Sequence, residues 1–287
     1  MLLYKQIKTI NPKLVKNTLN NLLKEDTPNG DPTTRAVIKK QQKDMYIICV
    51  REEIIFCGSI IIKNIFSNNV KVLMKAKDGD RLKPNTVIAE VRGCTREILT
   101  KERLMLNMIQ RLSGIATNTK RYVEKINTKK IKILDTRKTT PGLRIFEKYA
   151  VYHGGGCNHR LDLSSGIMVK DNHIQNNINE IAQRLKTLKK KIPIQIEIDN
   201  PNQITDKSLG IVDAFLLDNM KPIEIKRCIN KIKIKENNKK IFIEVSGGIT
   251  LKNILKYKIR GVHGISIGAL THQSQSVDIG LDLYIES

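Results

Sequence analysis

From about residue 115 onward the chain alternates short apolar runs with longer amphipathic stretches, and this alternation constrains the fold more than any other feature. A strand buried in a parallel sheet reads as a near-continuous apolar run, and each parallel connection needs a crossover, usually a helix. Strands are predicted at 131–134, 167–169, 193–198, 213–217, 241–245 and 262–267, with helices at 142–151, 177–190, 221–235 and 250–258. Six βα units at intervals of about 20 to 35 residues fit an α/β barrel better than an open sheet.

The earlier part of the chain has another pattern. Asn11-Pro12 reads as a helix cap with proline at the first helical position, and Leu14, Val15, Leu19, Leu22 and Leu23 make an apolar stripe, predicting a helix over 12–24. Turn chemistry from Glu25-Asp26 to Gly30-Asp31-Pro32 precedes β-type runs near 35–38, 45–50, 70–74 and 86–91. Helical spacing through Ile98, Leu99, Leu106 and Ile109 predicts a helix over 95–112, and Ser113-Gly114 reads as a break before a second helix. The tail 278–285 alternates like an antiparallel strand and is expected to return to this region. The expected organisation is an α+β domain over 1–114, joined by the tail 273–287, and a βα catalytic domain over 115–272.

Chemistry enters at the strand ends. The predicted strands run into Asp135-Thr136-Arg137-Lys138, Lys170-Asp171-Asn172-His173, Asp218-Asn219, Ser246-Gly247-Gly248 and Gly268-Ala269, while 193–198 carries Glu197 near its end. In a βα barrel the C-terminal strand ends share one mouth, where active sites are built. Cationic ends come first, acidic ends next and glycine ends last, which suggests an anionic ligand, a developing cation and a phosphate. Bare N–H groups after Ser246 and a helix starting near Thr250 would suit the phosphate. Arg137, Lys138, His159, Arg160 and Lys170 would meet if their strands share the mouth, and a dicarboxylate would satisfy such a cluster. Asp135 and Asp171 read as orienting neighbouring cations, His173 as a loop cap, and Glu147 and Lys148 as solvated helix charges.

Composition removes other classes. The chain has 51 Lys+Arg against 28 Asp+Glu, a formal charge of +23, which would suggest a polyanion partner. The excess is dispersed as Lys39-Lys40, Lys129-Lys130, Lys189-Lys190-Lys191 and Lys239-Lys240 among many Asn and Ile, and aromatic content is 4%. Solvated helix faces explain such pairs, and stacking platforms are lacking, so no nucleic-acid partner is expected. Five cysteines without CxxC or zinc spacing point to a reducing, cytoplasmic compartment. MLLYKQIKTI is too short and polar for a signal peptide, and no run approaches ~18 apolar residues, so a soluble chain without a membrane partner is expected.

The blocks EDTPNGDPTT, LTKERLMLNMIQRLSGIATNT, DTRKTTPGLR, GGGCNHRLDLSSGIMVKDNH, LLDNM, SGGIT and ISIGALTH, in this order, closely resemble the quinolinate phosphoribosyltransferases. The resemblance implies an N-terminal α+β sandwich-like domain followed by an incomplete, open βα barrel, in a homodimer whose sites include partner residues. It implies that Arg137, Lys138, His159, Arg160 and Lys170 hold two quinolinate carboxylates, and that Arg103 is supplied across the dimer interface. Glu197 and Asp218 correspond to acidic residues near the ribose, and Ser246, Gly247, Gly248, Gly268 and His272 to positions near phosphate groups. Glu197, Asp218, Lys138 and Lys170 are the expected catalytic groups. Magnesium would accompany the pyrophosphate of phosphoribosyl pyrophosphate, with no organic cofactor. The segments Thr271-His272-Gln273-Ser274 and Glu244-Val245 depart from the familiar pattern and bear on the shape of the phosphate pocket. The alternative reading is a related barrel phosphoribosyltransferase acting on another acidic ring, although two carboxylates' worth of cations argues against a monocarboxylate.

Overall fold

A computed structural model of the protein describes residues 2–170, 173, 178–187, 192–235 and 240–285. It divides into two compact units, one of Ile7–Lys120, Ile145–Gly155 and Gln273–Ser287, the other of Met1–Gln6, Arg121–Arg144 and Gly156–His272.

The first unit opens with α1 (Pro12–Asp26), where Asn11 caps by accepting from Lys13 N, and α2 (Pro32–Val37), where Asp31 Oδ1 accepts from Thr34 N at 2.9 Å. Residues 35–38 are therefore mostly helical, not the expected extended run, because Asp31-Pro32 repeats the cap-plus-proline signal of Asn11-Pro12. There follow β1 (Lys43–Val50), β2 (Ile54–Ile55), α3 (Ser59–Ile65), β3 (Val70–Met74), β4 (Arg81–Leu82), β5 (Val87–Cys94) and α4 (Thr95–Ile126). The expected break at Ser113-Gly114 does not occur. A Cβ on Gly114 would lie 2.0 Å from Gln275 O, and Ser113 Oγ accepts from Cys57 N at 3.0 Å, so these small residues permit close approach within an unbroken helix.

The remaining elements are β6 (Lys132–Leu134), α5 (Arg144–His153), β7 (Ile167–Val169), α6 (Ile178–Lys186), β8 (Ile194–Ile198), α7 (Asp206–Leu209), β9 (Ala214–Asp218) and α8 (Pro222–Lys235). They end with β10 (Phe242–Ser246), β11 (Gly264–Ser266), α9 (Ala269–His272) and β12 (Ile279–Leu283). The tail strand β12 pairs antiparallel with β1, as its alternation predicts, giving a sheet ordered β12-β1-β5-β3. In the same unit α5 departs from expectation. Every residue from Phe146 to Val151 is buried, including Glu147 and Lys148 at 0% exposure, and Glu147 Oε1 receives Arg111 Nη2 at 2.9 Å. A buried charge persists only when paired and hydrogen-bonded, so these are internal groups and not solvated ones.

The second unit holds a parallel sheet ordered β6-β11-β10-β9-β8-β7, and Leu134 of β6 also bridges Cys157 in parallel. Among the described residues no strand pairing joins β6 to β7, which leaves the six-stranded sheet open. Phe215, Leu217, Val245 and Ile265 are fully buried, each contributing about 1.5–3 kcal/mol of transfer free energy. The helix expected over 250–258 is replaced by turns and a single 3₁₀ turn at Ile254–Tyr257. There Asn253 Oδ1 accepts from Thr250 N and its Nδ2 donates to Gly248 O, closing a side-chain turn where a helix would have begun. Among the described residues no helix is long and apolar enough to cross a membrane.

Candidate active site

The pleat of the parallel sheet sets the site. In-register residues face the same way, as do residues two apart on one strand. Glu197 pairs with Leu216, Glu244 with Leu216, Asp218 with Ser246 and Gln195 with Ala214. Glu197, Asp218 and Ser246 therefore share one face at the C-terminal ends of β8, β9 and β10. Glu244 is on the same face, level with Glu197 and two residues before Ser246, and Gln195 is two residues before Glu197, about 6.7 Å back along its strand.

Lys170 follows β7 directly, and its Nζ donates to Glu197 Oε2 at 2.8 Å. His173 closes the loop beyond: its Nδ1 accepts from Lys170 N at 3.0 Å and its own N donates to Lys170 O at 2.9 Å. Asp171, read as an orienting group, lies outside the described residues, as do Lys189, Lys190, Lys191 and Lys239.

Arg137 and Arg160 form a pair. Arg160 is 6% exposed and its Nη1 donates to Gly166 O at 2.9 Å. Burial, and then the charge of Arg137, hold the Arg160 guanidinium below its ordinary pKa. Arg137 Nε is buried with no hydrogen-bond partner among the described residues. A buried guanidinium that feels a second cationic charge, together with an unanswered N–H on that second arginine, suits an anion bearing more than one carboxylate.

His159 is buried as well. It is 5% exposed, its Nδ1 accepts from Arg160 N at 2.7 Å, and so Nε2 carries the hydrogen. That hydrogen points at Gln195 Oε1, 3.1 Å away, with Glu244 Oε2 at 3.5 Å. Gln195 Nε2 in turn donates to Glu244 Oε2 at 2.8 Å. Burial opposes the Glu244 charge, yet His159 beside it and the hydrogen bonds it receives bring its pKa below the ordinary carboxylate value. Asp135, fully buried, accepts from His159 N at 2.8 Å and Asn158 Nδ2 at 2.7 Å, so it fixes the loop's backbone and amide.

The glycine zone is compact. Gly247 has φ 95°, and a Cβ there would lie 2.1 Å from Asn219 Oδ1 and 2.7 Å from Asn219 N, which itself donates to Ser246 O at 3.0 Å. The loops after β9 and β10 are thereby laced together. Gly248 is exposed, with open space where a Cβ would stand. A Cβ on Gly268 would meet Lys138 Cδ at 2.9 Å and His272 Nε2 at 3.1 Å, and Thr271 Oγ1 donates to Lys138 O at 2.6 Å. Lys138 thus groups with Gly268 and His272, although its neighbour Arg137 groups with Arg160. Arg103 is exposed on α4 in the other unit.

Sequence reading missed Gln195, marked Glu244 only as a departure bearing on the phosphate pocket, and did not single out Tyr4. The first two carried a signal: each lies two residues before a predicted site residue, Glu197 or Ser246, and so on the same face of its strand.

Two family models match the chain: "Quinolinate phosphoribosyl transferase, N-terminal domain" over residues 31–113 and "Quinolinate phosphoribosyl transferase, C-terminal domain" over 115–282. The chain is 40% identical over 279 residues to the probable nicotinate-nucleotide pyrophosphorylase [carboxylating] of Bacillus subtilis, covering 95% of this chain and 94% of that one. It is 33% identical to the nicotinate-nucleotide pyrophosphorylase [carboxylating] of Mycobacterium leprae, covering 93% and 96%. The nicotinate-nucleotide pyrophosphorylase structure from Francisella tularensis matches with a TM-score of 0.89 at 32% identity, covering 98% of this chain and 100% of that one.

Proposed function

Because the chain belongs to the quinolinate phosphoribosyltransferase family, we propose a division of labour among the strand ends that performs the family's reaction. The chain transfers a phosphoribosyl group from phosphoribosyl pyrophosphate to quinolinate with loss of carbon dioxide, forming nicotinate mononucleotide in NAD biosynthesis. The observation that carries the division is the Arg137 and Arg160 pair, with its buried, unanswered Nε–H, in the unit whose parallel strand ends also bear Glu197, Asp218 and Ser246.

Arg137 and Arg160 hold the quinolinate carboxylates, with Lys170 beside them and His159 supporting from beneath. The ring nitrogen attacks the anomeric carbon as its bond to the diphosphate oxygen breaks. Glu197 and Asp218 face the positive charge that develops on the sugar, and Lys138, His272 and the backbone at Ser246, Gly247, Gly248 and Gly268 receive the phosphate groups. Charges fixed in advance of the reaction are commonly the largest catalytic contribution. Once ribosylated, the ring nitrogen is positive. The bond from C2 to its carboxylate then breaks, its electron pair stays at C2 beside that nitrogen, and a proton replaces carbon dioxide there.

Among the described residues no three His, Cys, Asp or Glu are grouped to hold a metal. Glu197 and Asp218 are single carboxylates, a donor set suited to orienting the waters of magnesium that arrives with the diphosphate. Bound there, magnesium would offset negative charge on the leaving group. The exposed position of Arg103 on α4 supports a homodimer in which Arg103 of the partner subunit completes the site. Five free cysteines support residence in the cytoplasm.

Purified protein with magnesium and phosphoribosyl pyrophosphate should form mononucleotide from quinolinate and very little from nicotinate. Equal use of nicotinate would overturn the dicarboxylate reading of Arg137 and Arg160.

A further inference from the structure

The loop that presents Arg160 is gripped from a direction that no sequence motif marks. On one side Asp135 binds His159 N and Asn158 Nδ2. On the other stands the segment 3–6. Gln6 clamps residue 158 in both directions, its Oε1 accepting from Asn158 N at 2.7 Å and its Nε2 donating to Asn158 O at 3.1 Å. The same Nε2 donates to Tyr4 O at 2.9 Å, which ties the clamp to the next side chain.

Tyr4 then touches both supports of Arg160. Its ring lies 4.6 Å from the His159 ring, centroid to centroid, and His159 Nδ1 accepts from Arg160 N. Its Cε1 would stand 2.6 Å from a Cβ on Gly166, the residue whose carbonyl receives Arg160 Nη1. The Tyr4 hydroxyl donates to Gln195 Oε1 at 3.0 Å, the oxygen that also faces His159 Nε2. Burial first, and Glu244 next, push the phenol well above its ordinary pKa, so it remains a donor. Leu3 packs against Leu134, Ala214 and Phe242 and so anchors the segment to the core of the parallel unit.

We propose that residues 3–6 form a strap that positions the dicarboxylate-binding arginine, with Tyr4 and Gln6 as positioning residues for Arg160. Neither need touch substrate. An arginine held at its backbone through His159 and at its guanidinium through Gly166 loses little further freedom when a carboxylate binds, and preorganisation of this kind appears as affinity. The inference rests on the assignment of quinolinate to Arg137 and Arg160.

The test measures quinolinate affinity by calorimetry, steady-state kinetics with each substrate varied in turn, and the thermal midpoint, for wild type, Gln6→Ala, Tyr4→Leu and Tyr4→Phe. Gln6→Ala and Tyr4→Leu should raise the quinolinate Kd and KM roughly tenfold while changing kcat and the phosphoribosyl pyrophosphate KM less than about twofold. Tyr4→Phe keeps the ring against His159 and Gly166, so it should restore most of the binding lost in Tyr4→Leu. Should Gln6→Ala not fold, the two Tyr4 variants decide alone. Unchanged quinolinate affinity, equal rises in both KM values, or a fall in kcat alone would overturn the strap. Wild-type protein that binds no quinolinate would instead remove the substrate assignment, before any variant is compared.

Discussion

Glu197→Gln removes a charge while keeping the side chain's shape, and the structure separates its effect on stability from its effect on turnover. Glu197 Oε2 lies 2.8 Å from Lys170 Nζ, but the Lys170 side chain is 43% exposed and that of Glu197 15%. With one partner so open to water the pair is worth about 0–1 kcal/mol. The thermal midpoint should therefore fall by no more than about 4 °C. Catalysis should respond differently, because a carboxylate facing the developing charge on the sugar acts chiefly in the transition state. Losing one preorganised group of this kind costs ~2.7–4 kcal/mol, or roughly 100- to 1,000-fold in kcat. Steady-state assays of mononucleotide formation, run beside differential scanning calorimetry of the same samples, measure both. A kcat within about tenfold of wild type would remove Glu197 from charge stabilisation. A midpoint lowered by more than about 8 °C would make it a structural group instead.

Three further outcomes are expected. Glu147→Ala leaves Arg111 without a fully buried partner that accepts from its Nη2 at 2.9 Å and Nε at 3.2 Å. It should cost about 3 kcal/mol, the lower end for breaking a buried pair because Arg111 is 23% exposed, and an unchanged urea midpoint would contradict this. Gly247→Ala must place a Cβ 2.1 Å from Asn219 Oδ1 at φ 95°, so it should destabilise by about 1–3 kcal/mol and raise the phosphoribosyl pyrophosphate KM more than that for quinolinate. Kinetics with both KM values unmoved would count against that loop as the phosphate site. Asp162 accepts from Ser165 and Ser164 side chains and backbone, which lower its pKa to about 2. A depressed folded pKa gives stability that is present above the unfolded value, about 3.9, and lost as pH falls through about 2. Asp162→Asn should flatten the urea-measured stability profile across that window, and parallel profiles would contradict the assignment.

Much of the parallel sheet was legible because its buried strands are rich in apolar residues, and their exits turn polar or glycine-rich. The strands around Glu197, Asp218 and Ser246 announced themselves in this way, within a residue or two of their observed ends. Periodicity failed where its premise failed. Residues 146–151 of α5 are buried all round, so no polar stripe separated Glu147 and Lys148 from solvent-facing charges. Ser113-Gly114 carries the composition of a break, but its cause is the backbone of Gln275, far away in sequence. Asp31-Pro32 held the same helix-start signal that was read correctly at Asn11-Pro12, and the β-type residues after it obscured it. The sequence did not show the individual partners of the five cations: Arg160 feels the charge of Arg137, Lys138 lies near Gly268 and His272, Lys170 donates to Glu197, and His159 faces Gln195. Nothing in the residues 3–6 themselves signals contact with residue 158, because that pairing exists only in the folded chain.

The most direct measurement supplies purified protein with magnesium, phosphoribosyl pyrophosphate and quinolinate labelled in its 2-carboxylate, and follows gas and nucleotide together. Labelled carbon dioxide and nicotinate mononucleotide should appear in equal amounts, only when both substrates are present, and at a strongly reduced rate in Arg137→Ala. Mononucleotide without labelled gas, or Arg137→Ala with wild-type rate and quinolinate KM, would contradict a site in which paired arginines hold a dicarboxylate for ribosylation and decarboxylation.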